Sequence, residues 1–214
     1  MIVFKTCVFL ILVYLVSSFP SAFIFAKKLK GIDIREVGSG NVGATNAARF
    51  LGKGWGVCIL FLDAAKGFIG TALLYKLFFT TQLYLEKPFL PVLAAIFSVA
   101  GHNWPVYLRF RGGKGVAVTL GVLLGLALLV PKIGLALGTA FLVWLGVFLA
   151  SGVVSLASLV SAFSVPVMFA FLGLSLWYLI LGILLCISIL IRHKDNIRGL
   201  ITGEELKDRS FRKS

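Results

Sequence analysis

Residues 133–150 read IGLALGTAFLVWLGVFLA, and after Ser151 residues 152–171 read GVVSLASLVSAFSVPVMFAF. Neither stretch carries a charge, and each is close to the roughly 20 apolar residues that a helix needs to cross a bilayer core. Reading outward, similar runs lie at 6–26, about 55–79, 88–104, 116–130 and 174–191. An all-α polytopic membrane protein is therefore expected, with about seven transmembrane helices. The 116–130 run is short and Pro131-Lys132 makes a tight connection, so a count of five is also open. The first run has a signal peptide as its rival reading. It lacks a clean small-x-small cleavage site and ends on Lys27, Lys28 and Lys30, which fits an anchored helix kinked near Pro20.

Composition agrees. The 214 residues are 59% hydrophobic and 14% charged, with a mean hydropathy of +1.02; soluble domains carry about 25% charged residues. No Pro/Ser-rich linker divides the chain, so one membrane-embedded domain is expected over 1–204, with a short charged tail at 205–214. Cys7, Cys58 and Cys186 stand singly in apolar stretches without metal-ligand spacing, and neither a metal nor a cofactor is expected.

The net charge is +13, confined to gaps between apolar runs, which favours anionic headgroups and a phosphorylated substrate over nucleic acid. Sixteen of the 21 Lys and Arg fall in 27–54, in 105–115 and in the tail from Arg192. With seven spans these segments share one side, which the positive-inside rule makes the cytoplasm, and the N-terminus lies outside. Polar segments facing one compartment can build one site.

The first of them runs Gly38-Ser39-Gly40-Asn41-Val42-Gly43-Ala44-Thr45-Asn46, with Arg49 following. Its glycines fit G-x-G-x-x-G, but no strand precedes them, so a dinucleotide fold is rejected. Approachable N–H groups, hydroxyls, amides and a guanidinium suit a phosphate or an oxyanion. The bland alternative is a tight turn against lipid headgroups. The second is Gly101-His102-Asn103-Trp104-Pro105, then Arg109-Phe110-Arg111-Gly112-Gly113-Lys114-Gly115. Leu108 stands where a Walker loop needs its first glycine, yet three glycines around Lys114 at a helix start still make an anion cradle. Its alternative is a basic topology loop with glycines for close packing. The third is His193-Lys194-Asp195-Asn196-Ile197-Arg198, then Gly203-Glu204-Glu205. Alone it reads as a juxtamembrane basic cap, but a continuing helix would put His193 and Asn196 on one side. Asp63 and Lys66, at i,i+3 inside an apolar run, suggest an ion pair supporting the site.

Together these motifs make the chain resemble, over nearly its whole length, the PlsY family of acyl-phosphate:glycerol-3-phosphate acyltransferases. The first loop matches from Gly38 through Arg49 and the second from Gly101 through Ala117. In the third, His193, Asn196, Ile197, Gly203 and Glu205 fit, but Gly199 replaces an expected basic residue and Glu204 an expected small or hydroxyl residue. The resemblance implies a seven-helix enzyme that acylates the 1-hydroxyl of glycerol 3-phosphate from acyl phosphate. Its products would be lysophosphatidic acid and phosphate, at the first step of bacterial phospholipid synthesis, in the inner (plasma) membrane.

It further implies Ser39, Arg49, Lys114, His193 and Asn196 as catalytic positions. Gly40, Asn41, Thr45, Asn46, Gly112, Gly113 and Gly115 would bind substrate, and Asp63, Lys66, His102 and Glu205 would support the site. Arg49 and Lys114 are expected on phosphate, with the Gly112–Gly115 backbone helping to hold the anion and the carbonyl oxyanion. Expected partners are glycerol 3-phosphate, acyl phosphate, membrane lipids and a soluble enzyme that supplies acyl phosphate.

The H-x-x-x-x-D of soluble glycerolipid acyltransferases is absent: His102 leads to Tyr107 and His193 to Arg198. An anion transporter is the runner-up, but the polar motifs cluster on one side and no inverted repeat is apparent.

Overall fold

The computed structural model describes residues 2–80, 83 and 86–207. Of the tail's basic residues, Arg209, Arg212 and Lys213 lie outside them, as does the expected tail beyond Lys207. Among the described residues the chain is helical, without strands. They form two compact units, Met1–Leu129 and Val130–Ser214.

In the first unit, α1 (Ile2–Ser17) and α2 (Ser21–Lys30) form one apolar length broken at Phe19-Pro20. The break falls where Pro20 removes a donor and clashes with the preceding turn. Gly31, in the left-handed region at φ 69°, ends α2. A loop leads to α3 (Ala44–Leu51), and α4 (Lys53–Phe68) runs through a π-turn at Ile69–Leu73 into α5 (Leu74–Phe78). Next come α6 (Phe89–Asn103), a 3-10 turn at Val106–Leu108 and α7 (Val116–Ala127). Helices α4 and α7 meet at van der Waals distance through glycine: a Cβ on Gly121 would overlap the Ala64 carbonyl, and one on Gly67 the Val118 carbonyl. Small residues at such crossings let backbones approach where lipid supplies no hydrophobic drive.

In the second unit, α8 (Pro131–Ser151) ends at Gly152 with φ 72°. It is followed by α9 (Val154–Phe171), α10 (Leu176–Arg192), α11 (Lys194–Thr202) and α12 (Glu204–Lys207). Pro166 lies inside α9, and Gly182 of α10 packs against it, a Cβ there coming within 3.1 Å of the Pro166 Cα.

Five lengths are long and apolar enough to cross a membrane: Ile2–Lys30, Lys53–Phe78, Phe89–Leu108, Pro131–Ser151 and Val154–Phe171. A sixth is reached if Leu176–Arg192 and Lys194–Thr202, bent by 62°, count as one span. Helix α7 has only 12 residues, about 18 Å at 1.5 Å per residue, short of the ~30 Å hydrocarbon core. Expected runs and observed helices coincide; 116–130 is the one cut short.

Candidate active site

The first polar loop is held from below by an apolar cluster. Ile34 and Val42 are buried with Ala22, Ala26, Ala47, Ile59 and Leu108. Asp33 folds back on Arg35, which donates from Nε (3.0 Å to Oδ1) and Nη2 (2.6 Å to Oδ2). The Arg35 guanidinium holds the Asp33 carboxyl down at about 2, from an ordinary 3.8, and stands 5.1 Å over the Phe23 ring.

Asn46, 1% exposed, clasps the loop. Its Nδ2 donates to the Ile34 and Val37 carbonyls at 3.1 and 3.0 Å, and its Oδ1 accepts from the Ser39 N–H at 3.2 Å. Expected on substrate, this amide is instead engaged by the loop itself, because the backbone of 34–39 leaves polar groups that no helix pairs. Gly38 and Gly40, at φ 59° and 66°, turn the chain so that Ser39 lies exposed. A Cβ on Gly38 would run into Asn46 and Phe50, and one on Gly40 would sit 3.0 Å from the Arg35 carbonyl. Asn41 and Thr45 are half-buried at the entry to α3, and Arg49 is exposed on its last turn.

The second segment is a tight backbone return. Gly112 N–H donates to the Asn103 carbonyl at 3.2 Å and Gly113 N–H to the His102 carbonyl at 3.1 Å. Those two amides were expected on the anion; the turn uses them. What glycine provides here is space: a Cβ on Gly112 would overlap the His102 carbonyl, and one on Gly113 the His102 imidazole. Lys114 follows, and Gly115, at φ 86°, caps α7. Arg109 and Phe110 also have positive φ, 51° and 62°, a strained conformation for side-chain-bearing residues. The two segments meet through Val42 and Leu108, which share the apolar cluster.

Beneath this turn is a buried polar network. Lys66 Nζ is 2.7 Å from Asp63 Oδ1 and donates to the Phe19 carbonyl at 2.6 Å. Ser21 Oγ donates to the same Asp63 oxygen at 2.6 Å, and His102 Nδ1 lies 3.9 Å from it. Intramembrane charges persist when paired inside the protein, and here Lys66 shares the Phe19 carbonyl at the Pro20 break with the Ser21 N–H, which donates to it at 3.1 Å. Ser17, Ser18, Ser21, His102, Gly112 and Gly113 border a small recess over the pair. The buried Ser18 hydroxyl finds no hydrogen-bond partner among the described residues. Sequence reasoning missed these serines; the hydroxyl-rich Ser17-Ser18-Phe19-Pro20-Ser21 at a helix break was the available signal.

In the second unit the helix does not continue through the third motif. His193 ends α10 and starts α11 at the 62° bend, so the expected shared face on an unbroken helix is corrected. Residue 193 is out of helical register, and its Nδ1 lies 2.8 Å from the Ile189 carbonyl with the side chain buried. Asn196 Nδ2 donates to Glu205 Oε1 at 2.6 Å. No cluster of three or more His, Cys, Asp or Glu able to hold a metal ion occurs among the described residues.

Comparison with known proteins gives this architecture its class. The profile of the family described as glycerol-3-phosphate acyltransferase matches residues 7–203. Glycerol-3-phosphate acyltransferases of a Nostoc species and of Desulforudis audaxviator are 42% and 41% identical, over 91% and 94% of this chain and 88% and 93% of theirs. That of Aquifex aeolicus is 41% identical over 94% of this chain and 98% of its own. Crystal structures of PlsY, an integral membrane glycerol 3-phosphate acyltransferase, match in the glycerol 3-phosphate form (TM-score 0.82, 39% identity) and the lysophosphatidic acid form (0.79, 38%). Each covers 93% of both chains. The protein is thus a multi-pass membrane acyltransferase. Its chain belongs to the glycerol-3-phosphate acyltransferase family.

Proposed function

We propose that this enzyme transfers a fatty acyl group from acyl phosphate to the 1-hydroxyl of glycerol 3-phosphate at the cytoplasmic face of a bacterial plasma membrane. The observation that carries the reading is the match, over 93% of the chain, to PlsY in both its glycerol 3-phosphate and its lysophosphatidic acid forms. The basic residues gathered in 27–54, 105–115 and the segment from Arg192 support the sidedness. Seven spans with the N-terminus outside fit that distribution, α7 being the short member.

In this reading Arg49 and Lys114 bind phosphate, each charge worth on the order of 4 kcal/mol at ~4 Å and an effective dielectric near 20, before desolvation. The 1-hydroxyl oxygen attacks the acyl carbonyl carbon and forms the ester. The bond from that carbon to the phosphate oxygen breaks, and phosphate leaves with the electron pair. A phosphate oxygen of a substrate takes the hydroxyl proton. Ser39, His193 and Asn196 orient the reactants, Asn46 holds the Ser39 loop, and Gly112 and Gly113 shape the turn that presents Lys114. A soluble enzyme supplies the acyl phosphate, and the product passes into the bilayer.

Purified protein given labelled glycerol 3-phosphate with acyl phosphate, acyl-CoA or acyl carrier protein tests the donor. Lysophosphatidate formed from acyl phosphate alone is the expected result; product from acyl-CoA alone overturns it. Capture of an acyl–enzyme by rapid quench and mass spectrometry would sink direct attack.

A further inference from the structure

Ser155 belongs to none of the three motifs, yet it meets the third. It lies in the first turn of α9 and is 6% exposed. Its Oγ donates to Glu205 Oε1 at 2.6 Å, the same oxygen that accepts from Asn196 Nδ2 at 2.6 Å. One carboxylate oxygen therefore joins two donors from different helices in short, charge-assisted bonds. A carboxylate can only accept, so the amide must turn its nitrogen toward Glu205 and its oxygen away. Gly199, one turn beyond Asn196, gives Glu205 room: a Cβ there would lie 3.3 Å from both the Glu205 Cβ and Oε2.

We propose that Ser155 is a positioning residue for Asn196: through Glu205 it fixes the amide so that Asn196 meets substrate as a hydrogen-bond acceptor, suited to a hydroxyl hydrogen and not to a phosphate oxygen. The Ser155 bond restrains Glu205, whose side chain otherwise rotates about three bonds, and Glu205 in turn sets the amide. The inference rests on the proposed substrate-handling role of Asn196.

The test is equilibrium binding of labelled glycerol 3-phosphate to purified wild type, Ser155→Ala, Ser155→Thr, Asn196→Ala and the Ser155→Ala/Asn196→Ala double variant. Binding needs no turnover, so inactive variants are still read. Loss of one restraining charge-assisted bond should weaken binding by about five- to tenfold in Ser155→Ala. Ser155→Thr, which keeps the hydroxyl, should bind within about twofold of wild type, and the double variant no more weakly than Asn196→Ala. A Ser155→Ala loss of the same size in both backgrounds, or none in either while Asn196→Ala is weakened, overturns the positioning role. Wild-type binding by Asn196→Ala overturns the reading of the site itself.

Discussion

Replacing Lys66 by methionine removes one charge of the buried pair while keeping most of the side chain's length. Asp63 would keep the 2.6 Å bond from Ser21 and its 3.9 Å neighbour His102, but lose the ammonium at 2.7 Å. The Phe19 carbonyl, next to the Pro20 break, would lose the ammonium at 2.6 Å and keep the Ser21 N–H at 3.1 Å. Breaking a buried ion pair from one side costs about 3–5 kcal/mol, because a lone charge remains. The double variant Asp63→Leu/Lys66→Met removes both charges, takes the acceptor from the Ser21 hydroxyl and leaves the Phe19 carbonyl one bond poorer, at about 1 kcal/mol each. It should therefore be about 1–3 kcal/mol more stable than Lys66→Met alone. Reversible unfolding in mixed micelles, followed by tryptophan fluorescence, measures both. A double variant as unstable as the two single losses summed would refute the account, for the residues would then be acting independently.

Gly113→Ala should lower turnover at least tenfold, because its methyl meets the His102 imidazole and overpacking costs about 1–3 kcal/mol. Gly54→Ala, in α4 with nothing within 4 Å of the added carbon, should leave turnover unchanged. Asn46→Asp should be as damaging as Asn46→Ala, since it sets a carboxylate against the Ile34 and Val37 carbonyls; initial rates on membranes expressing equal protein decide this. The Asp33 carboxyl titrates lower in the fold than in the unfolded chain, at about 2 against 3.8. Its stabilisation is thus fully present above pH 3.8 and lost as pH falls through about 2. The stability gap between wild type and Asp33→Asn should be flat at neutral pH and close over that acid range. A gap that widens toward acid is the wrong sign.

The spans were legible because bilayer thickness and backbone hydrogen bonding leave little choice once uncharged runs reach helix length. Pro20 gave away its break for a similarly local reason. Span count was harder: 116–130 is apolar throughout, but α7 ends at Ala127, within a run whose composition does not change. The three polar motifs could be found by residue type, and the Asp63–Lys66 pairing followed from spacing. Their division of labour could not. Whether Asn46 faces a ligand or its own loop depends on carbonyls at 34 and 37 that any residues would supply. The bend at His193 is equally silent, since no proline or glycine marks it. Ser155 escaped because its partner is 50 positions away.

The second motif shows how far a motif can be trusted. Glycines around a lysine suggested backbone donors gathered on an anion, but the Gly112 and Gly113 N–H groups point back to the Asn103 and His102 carbonyls. The glycines are needed because an imidazole and a carbonyl occupy the space that side chains would take. His102 is in turn buried beside Asp63, which holds Ser21 and Lys66, and Lys66 closes the broken turn at Phe19. The position of Lys114 therefore depends on a chain of contacts running from the first helix break through a buried ion pair to one imidazole. On that account, damage to the Phe19–Pro20 break should lower activity through the Lys114 turn.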